Sequence, residues 1–266
     1  RIERLHAEGN PVPRVVLRIT PGVHAHTHEF LATAREDQKF GLARADVPGL
    51  VARIRAEKHL KFLGLHSHIG SQIFEADGFI EAAKRLLAIQ AELVKFGEVP
   101  ELNLGGGFGI NYTTADEAPD IESIAFKIAE GVAAECAALG IAVPVLAFEP
   151  GRIIVGPTGV TLYTVGTIKD VALTEEGAGA VRKYVSIDGG MSDNARPSLY
   201  DAAYTVRLAS RASSAQPALV RVVGKHCESG DIVVRDDYLP ADISNNDMEM
   251  EMEMEIEDDL FQEVAI

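Results

Sequence analysis

The chain has 266 residues, 47% of them hydrophobic and 24% charged, with a formal net charge of −15. That length can bury one large core or two modest ones, and no apolar run is long enough to span a bilayer. Nine of the acidic residues lie in 244–266, which holds neither lysine nor arginine; the remainder carries −6 with no basic stripe, so a nucleic-acid partner is not expected.

Strand-type apolar runs come first at VVLRI (15–19), FLGLHSH (62–68), ELNLG (101–105) and VPVLAFE (143–149). Between them, residues 46–58, 77–96 and 120–139 show helical spacing, and the middle stretch stops at Gly97 with Pro100 just beyond. Such alternation predicts parallel strands joined by helical crossovers, in a doubly wound sheet or a (β/α) barrel. The barrel is favoured because HSHIGSQ, GGGFG and EPGR each directly follow a strand. In a barrel those positions converge on one mouth. Past residue 158 the texture changes to β-rich runs between turns: VTLYTVGTI, KYVSIDGG, ALVRVVG and DIVVR.

The expected organisation is therefore α/β. Residues 1–157 form part of a (β/α)8 barrel, and 158–243 part of a mainly antiparallel β domain. Residues 244–266 form an acidic Met/Glu tail. The Met/Glu alternation fits an edge strand, but nine uncompensated charges favour a poorly ordered segment. Two cysteines, Cys136 and Cys227, are too few for a disulfide framework. With no signal-peptide pattern in the first residues, a cytoplasmic setting is expected.

Several short constellations carry chemistry. GGGFG (105–109) exposes backbone N–H groups, which suits a phosphate; a tight turn is the plain alternative. EPGR (149–152) sets a carboxylate and a guanidinium at a strand end, either as a turn ion pair or as contacts to a ring nitrogen and an anion. DGGMSDNARPSLYDAAY (188–204) reads as a loop, yet carries Arg196 and Tyr200, two anion-binding groups. KHCESGD (225–231) places Cys227 among polar neighbours, where a thiol can exchange a proton. In GLHSHIGSQI (64–73), His66 and His68 form a His-x-His pair. With HAHTHE (24–29) and Glu149 they could serve a metal, provided 62–68 is a regular strand.

Together GLHSHIGSQI, NLGGGFG, FEPGR, DGGMSDNARPSLYDAAY and VGKHCESGD, with PGVHAHTHEF and EDQKFGL, resemble the diaminopimelate decarboxylases, pyridoxal-phosphate enzymes with an alanine-racemase-like fold. The resemblance covers roughly residues 1–243. It implies that His68 stacks on the pyridine ring of pyridoxal 5'-phosphate and that Ser71, Gly105, Gly106 and Gly107 hold its phosphate. Glu149, within the motif completed by Pro150, Gly151 and Arg152, would pair with the ring nitrogen. Arg152, Arg196 and Tyr200 match contacts to the substrate carboxylate, and Glu228 a contact to an amino group. Cys227 matches the proton donor to the α-carbon.

No metal is implied on this reading. The substrate would be meso-diaminopimelate, the products L-lysine and carbon dioxide, and the assembly a homodimer, with the Cys-Glu loop reaching the neighbouring subunit's site. The lysine that holds the cofactor covalently lies, in the family, before the PGVHAHTHEF segment. Lys39 is only the loop lysine beside the pocket. The family also continues past CESGD with further strands. This chain is therefore expected to be an incomplete enzyme, inactive by itself. A non-catalytic phosphate-binding or dimerising relative is the alternative reading, and a metal-dependent hydrolase a third.

Overall fold

The computed structural model describes residues 1–22, 39–173, 180–245, 247 and 250–253. They fall into two compact units, one of Arg1–Gly109 with Ala118–Ile153, the other of Ile110–Glu117 with Ile154–Ile266. The division comes earlier than the expected 157/158, and the segment 110–117 belongs with the second unit. Apolar content places 110–117 with neither side, so sequence could not show this.

The first unit contains a short helix α1 (Ile2–Ala7), then β1 (Arg14–Arg18), α2 (Val47–Ala56), β2 (Lys61–His66), α3 (Asp77–Leu93), β3 (Glu101–Asn103), α4 (Ile121–Leu139) and β4 (Val145–Ala147), and the short helix α5 (Arg152–Val155) spans the division. The four strands form one parallel sheet in the order β1-β2-β3-β4. A doubly wound sheet reverses its strand order at some point; this one does not. Successive right-handed crossovers in one direction put every helix on the same face, which is the construction of a (β/α) barrel.

Local chemistry explains the helices that cover the sheet. In α3, Phe79, Ala82, Ala83, Leu86, Leu87, Gln90 and Leu93 recur at helical spacing and are all buried. Each large apolar side chain so buried contributes about 1.5–3 kcal/mol. The end of α3 and the turn after it are met by Arg55, whose guanidinium donates to Leu93 O, Gly97 O and Glu98 O. At the start of α4, the Asp120 carboxylate accepts from Ser123 N at 2.9 Å and Glu122 N at 3.3 Å. Gly140 closes that helix in the left-handed conformation.

In the second unit, β6 (Val165–Ala172), β7 (Val181–Ile187), β9 (Pro217–Val223) and β10 (Ile232–Pro240) form a sheet in the order β10-β9-β7-β6. Its pairs are antiparallel except β7 with β9. A further sheet contains β5 (Val160–Tyr163), β11 (Met250–Glu253) and β8 (Thr205–Leu208), in the order β5-β11-β8. A one-turn helix α6 (Arg196–Tyr200) leads into β8.

Strand β11 lies within the acidic segment 244–266. It pairs antiparallel with a strand on each side. The pairing satisfies N–H and C=O groups along the facing edges of β5 and β8. Residues 254–266 lie outside the described set. Among the described residues no helix is long and apolar enough to cross a membrane.

Candidate active site

Three loops meet at the C-terminal ends of β2, β3 and β4. Backbone hydrogen bonds continue past the strands and fix them: Ser67 N to Asn103 O at 2.9 Å, Leu104 N to Ala147 O at 3.0 Å and Glu149 N to Gly105 O at 2.9 Å. The loops approach so closely that side chains are excluded. A Cβ on Gly105, where φ is +73°, would stand 2.5 Å from Ser67 O; one on Gly106 would overlap Glu149 O, and one on Gly107, at φ +105°, would overlap Gly70 O. The three glycines thus form a cradle packed between two neighbouring strand ends, beyond what a simple turn requires.

Strand β2 ends at His66, so the condition for a shared His66/His68 strand face fails. His66 is buried on the strand end and His68 half-buried one step beyond it. Among the described residues, the group of three histidine or carboxylate donors close enough to share an ion is Glu3, Glu57 and His59, which contains neither histidine of the pair. The motif HAHTHE lies outside the described residues.

The two histidines instead face the other loops. His66 Nε2 stands 3.3 Å from Glu149 Oε1, an ion-pair distance but off the line of a hydrogen bond. Asn103 Nδ2 donates to the same Oε1 at 3.0 Å, while Asn103 Oδ1 accepts from Gly105 N at 2.8 Å. Oε1 of Glu149 is therefore held by Asn103 with His66 close beside it, and Oε2 is the one left to meet a ligand. Gly106 N lies 3.4 Å from His68 Nδ1, a contact long enough to yield to a better acceptor. Arg152 Nη2 donates to Ser71 Oγ at 2.7 Å, joining residues 81 positions apart.

Burial lowers the pKa of His66, with Arg18 adding to the effect and Glu149 opposing it. Burial is again the leading cause at His68, followed by Arg18 and His66. Burial thus favours the neutral form of both imidazoles. A histidine whose folded pKa lies below its unfolded value contributes stability that is complete above the ordinary 6.5 and is lost as pH falls below it. The thermal midpoint is expected to drop as pH is lowered from about 8 to about 5, and His66→Gln should flatten that slope. A slope identical in the variant would contradict it. Asp242 and Asp247 do not confuse the reading. Their pKa values are lowered, chiefly by Ser213 and Arg211 respectively, so their contributions fade only below 3.8.

The remaining expected residues lie in the second unit. Arg196 and Tyr200 occupy the two ends of α6, with the guanidinium 5.5 Å from the tyrosine ring centroid. Arg196 Nε is buried without a hydrogen-bond partner. Cys227 and Glu228 are exposed, and Glu228 Oε1 accepts from Gly230 N at 3.2 Å. Asn103 and the first histidine of HSH, as partners of Glu149, were not found from sequence. The only signal was their position at strand ends.

The fold defines a (β/α)-barrel chain with an appended β domain, its candidate site at the strand ends. Residues 1–156 match the family described as "Pyridoxal-dependent decarboxylase, pyridoxal binding domain". The chain is 49% identical over 256 residues to the diaminopimelate decarboxylase of Mycobacterium tuberculosis, covering 93% of this chain and 57% of that protein. It is 50% identical to that of Mycobacterium leprae, covering 93% and 54%. Among solved structures, diaminopimelate decarboxylase from Helicobacter pylori complexed with L-lysine superposes with a TM-score of 0.76 at 26% identity, covering 96% of this chain and 60% of that one. The enzyme from M. jannaschii in co-complex with L-lysine gives 0.76 at 28%, covering 95% and 56%. The chain belongs to the pyridoxal-dependent decarboxylase family, and it spans a little over half the length of these curated relatives.

Proposed function

We propose that this chain is the cofactor- and substrate-binding portion of a diaminopimelate decarboxylase, which converts meso-2,6-diaminopimelate into L-lysine and carbon dioxide. The observation that carries the reading is the convergence of His68, the glycine cradle, Glu149 and the Ser71–Arg152 pair on one end of the parallel sheet. These residues fit pyridoxal 5'-phosphate. Ser71, Arg152 and the amides of Gly105, Gly106 and Gly107 would take the phosphate, although Gly105 N is already engaged by Asn103. The half-buried His68 would lie against the ring, and Glu149 Oε2 would meet the ring nitrogen, with Pro150 and Gly151 setting its turn. Bound there, the cofactor supplies an electron-withdrawing ring that accepts the electron pair left when the substrate carboxylate departs.

The chain's own residues complete the reaction. Of the two roles considered for Arg152, its bond to Ser71 supports the phosphate role over the substrate one. Arg196 and Tyr200 hold the distal carboxylate of the substrate, Glu228 an amino group, and Cys227 gives the proton that replaces carbon dioxide on the α-carbon. The acting unit is a cytoplasmic homodimer, with neither nucleic acid nor membrane as partner.

The polypeptide 1–266 alone is inactive on this proposal. No lysine falls in the loops 67–71, 105–109 or 149–152, and Lys39 is exposed with its Nζ 4.7 Å from the Phe40 ring centroid. The test has two arms. Natural full-length protein with pyridoxal phosphate should release lysine and carbon dioxide in equal amounts from meso-diaminopimelate. Residues 1–266, treated with the cofactor and borohydride, should yield no single stoichiometrically modified lysine by mass spectrometry. Full-length protein that binds the cofactor yet leaves diaminopimelate intact would overturn the function. Specific labelling of Lys39 with carbon dioxide release from residues 1–266 would overturn the inactivity.

A further inference from the structure

Cys227 is exposed, and its own thiol is not what holds it in place. The residues on either side of it are both bonded to Asp231. His226 N donates to Asp231 Oδ2 at 2.8 Å, and Asp231 N donates to Glu228 O at 3.0 Å. Asp231 is only 2% exposed, a rare burial for a carboxylate. Its other oxygen accepts from Met191 N at 2.5 Å, in the segment that continues to Arg196 and Tyr200. The backbone has been cleared for this carboxylate: a Cβ on Gly190 would stand 2.7 Å from both its oxygens, and one on Gly224 would overlap them. Further bonds join the same two segments, namely Lys225 N to Gly189 O at 2.9 Å, Ser192 Oγ with His226 Nε2 at 2.8 Å, and Ser198 Oγ to Gly230 O at 2.8 Å.

We infer that Asp231 is a positioning residue, whose carboxylate fixes the loop carrying Cys227 and Glu228 to the loop carrying Met191 and Arg196. The inference rests on the reading of Cys227 as proton donor. It explains the last residue of KHCESGD, which has no part in binding or proton transfer. Here each carboxylate oxygen takes one of the two backbone N–H groups, Oδ1 that of Met191 and Oδ2 that of His226. Asparagine offers one acceptor and one donor, so Asp231→Asn sets a donor against one of those amides and releases one side of the clamp. A proton donor displaced by about 1 Å loses on the order of a hundredfold in rate.

The experiment uses the full-length protein with two readouts. In the first, Asp231→Asn lowers kcat by about tenfold to a hundredfold alone, yet causes no further loss in a Cys227→Ala background. In the second, Cys227 is alkylated by iodoacetamide and followed by peptide mass spectrometry, with no reference to turnover. Asp231→Asn changes that rate constant by more than about threefold. Losses that multiply in the double variant, or an alkylation rate left unchanged, would overturn the inference. If Cys227→Ala itself leaves turnover intact, the proton-donor reading fails and alkylation alone decides the positioning. Should Asp231→Asn not fold, Ser192→Ala removes only the exposed strut to His226 and must shift the alkylation rate in its place; no shift would count against the clamp.

Discussion

Cys227→Ala in the full-length enzyme is expected to lower turnover by roughly two to four orders of magnitude, the range for a lost general acid. That corresponds to about 3–5 kcal/mol of barrier. In the proposed reaction the α-carbon that loses its carboxylate would need a proton from a group on the protein or from water. Cys227 is exposed on its loop, whereas Cys136 is buried within α4 and held by burial in its neutral form, with its pKa raised. On the proposed reading Arg196, Tyr200 and Glu228 bind the substrate and none of them is removed, so KM should change far less than kcat. Steady-state kinetics at saturating cofactor decide the matter. Turnover within a few-fold of the parent would reassign the proton to another donor.

Arg196→Ala should change substrate choice more than it changes the chemistry. Arg196 Nε is already out of solvent without a partner, so its guanidinium gains by meeting an anion. Tyr200 beneath it restricts its orientation. Diaminopimelate offers a second carboxylate where lysine and ornithine have none. A site built to pair with such a group rejects analogues lacking it by up to about 10⁴–10⁵-fold, because its polar groups would be left without their partner. Removing the arginine is expected to erase most of that preference in the ratio of kcat/KM values for diaminopimelate and ornithine. A ratio unchanged by the substitution would place the distal carboxylate elsewhere.

Sequence was most informative where local chemistry alone fixes the outcome. Helical spacing located α3 and α4 closely, since their buried faces repeat every three to four residues. Polar clusters directly after strand-type runs marked the strand-end loops and favoured the barrel, whose order β1-β2-β3-β4 the sheet shows. Partnerships across the chain were not legible. Nothing in the spacing shows that Asn103 and His66 share one oxygen of Glu149, because that contact depends on the stagger of three parallel strands. The helix α6 was hidden by turn-forming residues that also serve as its flanks. The parallel pair β7–β9 and the placement of β11 between β5 and β8 are choices among open edges, which strand propensity does not make.

The central claim is that the strand-end cradle holds the pyridine ring with its nitrogen against Glu149, whose other oxygen is held by Asn103 beside His66. The most direct measurement is the ¹⁵N chemical shift of ring-labelled pyridoxal phosphate bound to the full-length protein. The account predicts a protonated ring nitrogen in the parent and a shift toward the unprotonated form in Glu149→Gln, with the cofactor still bound. A ring-nitrogen signal indifferent to Glu149→Gln would contradict it, because the carboxylate would then be facing something else.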